Sequence, residues 1–134
     1  EPIFRETNNK SERCFGYFFL TNANFVTFSK GGLTLNQYKD LTRKPLKNSG
    51  IPIDFYRHVR CGLLHNGETR NNWKITRNGN FFDDASKRIN AVKFMDELID
   101  VIKKFKDELL LSDFDSDPIW ITYKTRLQDL INNA

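Results

Sequence analysis

The chain has 134 residues, of which 13% are aromatic and 28% charged, and its formal net charge is +4 at pH 7. A chain of this length buries about two-thirds of its unfolded surface, so we expect residues 1–134 to form one domain that needs no metal or disulfide to fold. The 12 phenylalanines predict a Phe-rich interior, and this composition argues against disorder.

The cysteines and the hydropathy pattern indicate a cytoplasmic protein. Cys14 and Cys61 belong to no CxxC or Cys/His metal pattern, which predicts two reduced thiols; one disulfide between them is the alternative. No stretch approaches the roughly 18 apolar residues of a membrane helix, and the first residues lack the pattern of a signal peptide. We therefore expect a cytoplasmic location and no membrane association.

Positive charge is concentrated in one part of the sequence. Residues 57–93 contain eight Lys or Arg and three acidic residues, a net charge of +5, so the remainder of the +4 chain sums to −1. A local positive field suits an anionic partner such as RNA or a nucleotide. The alternative is a solvated basic surface without a partner.

Two helices are predicted near the beginning of the chain. The apolar spacing of residues 11–29 suits a helix, although the phenylalanines near the end of this segment also suit a strand. Thr34 and Gln37 form a capping-box pattern, which predicts a second, short helix that Pro45 ends.

Three further helices follow from turn residues and apolar periodicity. A third helix is expected from about Ile53 to about His65, with Asp54 in its first turn. Apolar residues at intervals of three or four predict a long helix over 84–110. Asp117, followed by proline, then predicts the cap of a final helix.

Between the third and fourth helices, residues 66–84 have loop composition with two short β-like pieces. These pieces, 73–76 and 80–82, are separated by Asn78-Gly79, which favours a hairpin turn. We therefore predict an all-α fold, an antiparallel helical bundle of four to five helices with a small β-hairpin excursion.

The chemistry-bearing residues cluster at the end of the third helix. Arg60 and His65 are separated by four residues, and a histidine can transfer protons near neutral pH while an arginine binds phosphate through two points. On a straight α-helix, five residues place these side chains roughly 140° apart. They would meet only if the helix loosens near Asn66-Gly67, if the Arg60 side chain curls round, or across a symmetric dimer.

Residues 60–69, Arg-Cys-Gly-Leu-Leu-His-Asn-Gly-Glu-Thr, resemble the motif of the HEPN family (higher eukaryotes and prokaryotes nucleotide-binding domains), in the form seen in small bacterial members. This resemblance implies a homodimeric, metal-independent endoribonuclease that uses the RNA 2′-OH as nucleophile, without a cofactor. Arg60 and His65 are then the catalytic residues. Family members active as nucleases often carry a polar residue directly after the arginine, where this chain has Cys61.

The neighbouring residues are candidates for contacts to the RNA substrate. The expected substrate-binding residues are Arg57, His58, Asn66, Glu68, Thr69 and Arg70. Glu68 and Thr69 are also expected to order the loop beside the site. No metal ligand is predicted, since His58 and His65 lie nearly two helical turns apart without a third ligand at metal spacing.

Two other functions are compatible with the same residues. One is a non-catalytic module of the same type that binds RNA, a nucleotide or a protein. The other is a structural domain that simply dimerises. The family also suggests a toxin–antitoxin or defence setting, with an antitoxin protein as a second partner.

Overall fold

The computed structural model describes residues 10–39 and 50–132, which are mainly helical with a small three-stranded sheet. This confirms the mainly α class. We define helices α1 (Lys10–Thr21), a 3₁₀ helix (Ala23–Ser29), α2 (Leu35–Lys39), α3 (consecutive segments Gly50–Phe55, Tyr56–Arg60 and Cys61–Asn66), α4 (Ala91–Leu111) and α5 (Pro118–Asn132), and strands β1 (Lys74–Thr76), β2 (Phe82–Asp83) and β3 (Arg88–Asn90).

The predicted first helix, 11–29, divides into α1 and the 3₁₀ helix. Asn22 ends α1, because its backbone N–H and its side-chain amide both donate to the carbonyl of Phe18, at 3.1 and 2.8 Å. In a 3₁₀ helix, residues three apart lie on the same side. Phe25 and Phe28 therefore both point into the core, where each is 0% exposed.

The capping box of α2 forms as predicted. The Thr34 N–H donates to Gln37 Oε1 at 2.9 Å, and the Gln37 N–H donates to Thr34 Oγ1 at 3.4 Å. Arg13 of α1 is buried and donates to the Tyr38 carbonyl at 3.0 Å, so it satisfies an orphan acceptor of this short helix. Pro45, the predicted end of the helix, lies outside the described residues.

The predicted hairpin between 73–76 and 80–82 is wrong. The strand order is β1-β3-β2: β1 runs parallel to β3, and β2 runs antiparallel to β3. The chain reverses after Asp83, whose carboxylate accepts the N–H groups of Ala85 and Ser86 at 3.1 and 3.4 Å. This side-chain bonding stabilises the β2–β3 turn, whereas Asn78-Gly79 lies in a longer connection.

The long helix begins at Ala91, seven residues after the predicted start at residue 84, because residues 88–90 form β3. Asn90 caps the helix: its Oδ1 accepts the N–H groups of Val92 and Lys93 at 3.1 and 3.2 Å. The final helix begins as predicted, with Asp117 Oδ1 accepting the Ile119 N–H at 3.0 Å.

The core is a cluster of aromatic rings, which confirms the predicted Phe-rich interior. Phe28 packs against Phe82 with ring centroids 4.5 Å apart and against Phe19 at 5.2 Å. Trp73, 3% exposed, stacks on Phe82. Offset and edge-to-face ring pairs of this kind add to the free energy of burial. The cluster joins α1, the 3₁₀ helix, α3 and the sheet.

Helices α4 and α5 differ from this core, since neither contains a buried residue. Phe94, Leu98 and Val101 of α4 pack against the edge of the core. Trp120 joins α5 to α4 by donating its Nε1–H to the Leu109 carbonyl at 2.8 Å. Within 10–39 and 50–132, no helix is long and apolar enough to cross a membrane.

Asn90 offers a test of how β3 is joined to α4. Its side chain caps α4 and also donates to the Gly79 carbonyl at 3.0 Å. We expect Asn90→Ala to lower the free energy of unfolding by about 1–2 kcal/mol in urea denaturation, because both interactions are lost. Asn90→Asp is the matched variant: it retains the cap and loses only the donated bond, so its loss should be smaller. Equal losses would contradict the assigned cap.

Candidate active site

The helix that carries the motif is not a regular α-helix. Its middle segment, Tyr56–Arg60, is a π-helix in which the Cys61 N–H donates to the Tyr56 carbonyl, five residues back. A π turn adds one residue to the helical repeat and therefore changes which side chains share a face on either side of it. The irregularity ends at Arg60. It is therefore not the loosening near Asn66-Gly67 that was one of the three ways for Arg60 and His65 to meet.

The helix ends where the sequence predicts, after Asn66. Gly67 adopts the left-handed conformation, with φ of +73°, and its N–H donates to the Leu63 carbonyl at 3.1 Å. This bond satisfies one of the last carbonyls of the helix. The chain then reverses and returns along α3.

Gly62 allows the returning loop to contact the helix backbone. A Cβ at this position would lie 2.5 Å from the Glu68 carbonyl oxygen, closer than side-chain atoms can pack. The Arg70 N–H donates to the His58 carbonyl at 2.9 Å, and Thr69 Oγ1 donates to the Trp73 carbonyl at 2.6 Å. Thr69 thus orders the loop, as expected from the sequence.

Asp54 joins α3, this loop and the β2–β3 turn. Its carboxylate accepts hydrogen bonds from Asn71 Nδ2 at 3.1 Å, Trp73 Nε1 at 2.9 Å and Lys87 Nζ at 2.9 Å. Burial raises the pKa of Asp54, but these donors, Lys87 first, outweigh it and hold the pKa below the usual value. The sequence identified Asp54 only as a first-turn acidic residue.

Two of the predicted substrate-binding residues are engaged by carboxylates. His58 Nε2 lies 3.4 Å from Asp54 Oδ1, and its Nδ1 is enclosed without a hydrogen-bond partner among the described residues. Arg57 donates from Nε and Nη2 to the two carboxylate oxygens of Glu12 on α1, at 2.7 and 3.2 Å. The hydrogen bonds that Arg57 donates to Glu12 raise the pKa of Arg57. Arg57 thus joins α3 to α1, whereas the contact of His58 with Asp54 lies within α3.

The regular helix between Arg60 and His65 places these residues roughly 140° apart around α3. The half-buried Arg60 places its guanidinium carbon 5.4 Å from the centre of the Tyr56 ring and its Nη1 3.8 Å from Cys61 Sγ. His65 is exposed in the regular segment Cys61–Asn66. In the part of the chain that the structure describes, no hydrogen bond or ion pair joins the two residues. One chain therefore does not bring them together.

The remaining predicted residues lie on the surface around the loop. Asn66, Glu68 and Arg70 are all exposed. Lys74 and Arg88 are register partners on β1 and β3 and are also exposed. Side chains of register partners project from the same face of a sheet, so this edge of the molecule carries adjacent positive charges.

No disulfide joins Cys14 to Cys61, as the sequence predicts. Among residues 10–39 and 50–132, no group of three His, Cys, Asp or Glu side chains is arranged to hold a metal ion. Comparisons with protein-family models, curated proteins and solved structures find no match to this chain.

Gly62 and Asp54 are the site residues whose roles the sequence did not reveal. A glycine within an apolar helix gives no local sign that another backbone approaches it. The role of Asp54 depends on hydrogen-bond donors that lie up to 33 residues away in the sequence. For Gly62, one weak signal exists, because glycine is unfavourable inside a helix unless packing requires it.

We expect Gly62→Ala to displace residues 68–70 and to destabilise the fold by about 1–3 kcal/mol, the usual range for overpacking. Hydrogen exchange of the Arg70 N–H should accelerate, since its bond to the His58 carbonyl depends on the close approach. Gly67→Asn is the matched variant, because asparagine tolerates the left-handed conformation and no atom lies within 4 Å of a Cβ there. Unchanged Arg70 exchange in Gly62→Ala would contradict the role of Gly62.

The lowered pKa of Asp54 predicts a pH-dependent contribution to stability. A carboxylate with a lower pKa in the folded state stabilises the fold above its unfolded pKa of about 3.9, and this contribution is lost as the pH falls through the folded pKa. We expect Asp54→Asn to be less stable than wild type at about pH 6 and the difference to shrink by about pH 3. Urea denaturation measures both values; a constant difference would contradict the assignment.

Proposed function

We propose that this protein is a metal-independent endoribonuclease of HEPN type that acts as a homodimer in the cytoplasm. The antiparallel four- to five-helix bundle of that family is part of this proposal. The observation that carries it is the separation of Arg60 and His65: each occupies its own side of α3, with His65 exposed at the helix end. In a cleft formed by the motif helices of two protomers, Arg60 of one helix and His65 of the other would both contact the RNA.

The surface beside His65 supports pairing of the motif helices. Leu63 and Leu64 are 43% and 63% exposed, so two adjacent apolar side chains face solvent next to the proposed acid–base residue. Covering such side chains with a second copy is favourable by roughly 25 cal/mol per Å² of apolar surface. In a two-fold arrangement, Arg60 of one protomer would then face His65 of the other.

The chemistry follows from the two side-chain types. His65 accepts the proton of a ribose 2′-OH, and the O2′ attacks the adjacent phosphorus. The bond from phosphorus to O5′ breaks, which leaves a 2′,3′-cyclic phosphate and, after protonation of O5′ by a second histidine or by water, a 5′-OH. Arg60 binds the non-bridging oxygens and stabilises the negative charge of the pentacoordinate transition state.

The positive surface around the loop supports RNA as the substrate. Arg70, Lys74 and Arg88 are exposed, and each can contact a phosphate of a single strand that crosses the sheet edge. Arg57 is held by Glu12 and His58 by Asp54, so we assign them positioning roles in α3 rather than contacts to RNA. Asn66 and Glu68 remain candidates for contacts near the scissile phosphate.

A second function, binding of RNA without cleavage, is favoured by one observation. Cys61 follows Arg60, where nucleases of the family often carry a polar residue, and its Sγ lies against the Arg60 guanidinium at 3.8 Å. A thiol is a weak hydrogen-bond partner and would orient the arginine less firmly than a hydroxyl or an amide. An antitoxin-type partner that covers the motif is compatible with either function.

We expect the purified protein to cleave labelled RNA in EDTA and to produce 2′,3′-cyclic phosphate ends. His65→Ala and Arg60→Ala should each reduce the rate at least about 100-fold, and Arg60→Lys should restore only part of it. Lys106→Ala, an exposed cation on α4, is the control for charge. Intact RNA with salt-sensitive binding would support the binding module and contradict the nuclease.

Mixing the two inactive variants tests the shared cleft. In a mixed dimer, the Arg60→Ala chain supplies His65 and the His65→Ala chain supplies Arg60, so one of the two composite sites is intact. Random exchange of protomers should therefore restore about a quarter of wild-type activity. If the mixture stays inactive while the wild type cleaves RNA, both residues act within one chain.

A further inference from the structure

Helix α4 carries an apolar face that residues 10–39 and 50–132 leave uncovered. Val92, Met95, Ile99 and Ile102 are 50%, 53%, 41% and 57% exposed, and we call these four side chains the outer stripe. Their spacing of three, four and three residues places them within about 80° of one another around the helix. Single exposed apolar residues are ordinary, but four on one face form a continuous surface of the kind that marks an interface.

The outer stripe is separate from the face that packs on the core. Phe94, Leu98 and Val101, which contact the core cluster, are centred roughly 110° away around the helix. On another side, Asn24 donates to Glu97 and Asp100 and accepts from Lys104, which fixes the 3₁₀ helix against α4. Among the described residues, contacts are therefore made to two sides of α4, and the third side is open.

Charges beside the outer stripe indicate what covers it. Asp96 and Lys103 are exposed, lie seven residues apart, and occupy the same flank of the stripe, the flank away from the core. If a second α4 packs antiparallel, with the two-fold axis midway between these residues, Asp96 of each copy lies level with Lys103 of the other. Symmetry then generates two identical ion pairs from a single acidic and a single basic residue.

We propose that α4 binds α4 of a second copy of this chain in antiparallel orientation, through the outer stripe and the Asp96–Lys103 pairs. A parallel arrangement does not satisfy these charges, because the opposite flank of the stripe consists of the apolar residues Leu98 and Phe105. The stripe supplies the affinity, and the flanking charges select the orientation. This pairing is distinct from that of the motif helices and does not require the nuclease function.

The test compares assembly masses by light scattering for the wild type and for variants at exposed positions. Ile99→Lys should abolish the α4 pairing and halve the mass. Ile75→Lys is the matched control, since Ile75 is 45% exposed on β1, away from α4, and should leave the mass unchanged. Each charge reversal, Asp96→Lys or Lys103→Asp, should weaken association by on the order of tenfold or more, because two attractive contacts become repulsive.

Mixing the two charge variants identifies both the occupant and its orientation. The Asp96→Lys chain has lysine at both positions and the Lys103→Asp chain has aspartate at both, so the mixture should recover the wild-type mass through α4 pairs between unlike chains. A wild-type mass unaffected by Ile99→Lys, or charge variants that stay dissociated when mixed, would overturn the proposal. Leu64→Glu reports separately on the motif helices, so failure of one pairing is distinguishable from failure of the other.

Discussion

The carboxylate of Asp54 is the interaction on which the arrangement around the motif depends. It accepts hydrogen bonds from two parts of the chain: from Asn71 and Trp73 in the returning loop, and from Lys87 in the β2–β3 turn. His58, one turn along α3, lies 3.4 Å from the same carboxylate. Burial disfavours the charged form of this carboxylate, and the donors outweigh that effect and favour the ionised form. The loop, the turn and the first half of α3 are therefore positioned together.

The neighbouring side chains Arg57 and His58 are held by carboxylates, which leaves the motif residues Arg60 and His65 available. Glu12 of α1 holds Arg57, and Asp54, one turn earlier in α3, approaches His58. Arg60 ends the π segment with its guanidinium against Tyr56 and Cys61, and His65 is exposed. Preorganised surroundings with a few uncommitted polar side chains are the usual condition for a binding or catalytic site.

The elements that the sequence predicted correctly are those specified by residues close together in the chain. The capping box of Thr34 and Gln37 and the cap at Asp117 depend on partners within three residues. The wrong hairpin had an equally local basis in Asn78-Gly79, but strand β1 pairs instead with β3, because the Asp83 carboxylate organises a later turn. Parallel pairing of distant segments has no signature in the two strands alone.

The sequence alone identified the motif residues Arg60 and His65 of the candidate site. It did not predict the contacts that position the helix around them. The π segment that ends at Arg60 and the close contact of the loop with Gly62 both result from packing between segments. The residue types at these positions do not predict either feature.

The angular separation of Arg60 and His65 was predictable, since it follows from helix geometry, and the regular segment Cys61–Asn66 preserves it. A phosphate that needs both groups must then be contacted from two sides. Arginine brings its charge through a long, flexible side chain, but an imidazole ring reaches only a few ångströms from its backbone. Because His65 cannot move toward Arg60 without unwinding the end of α3, helix geometry favours the second motif helix that we propose to complete the site.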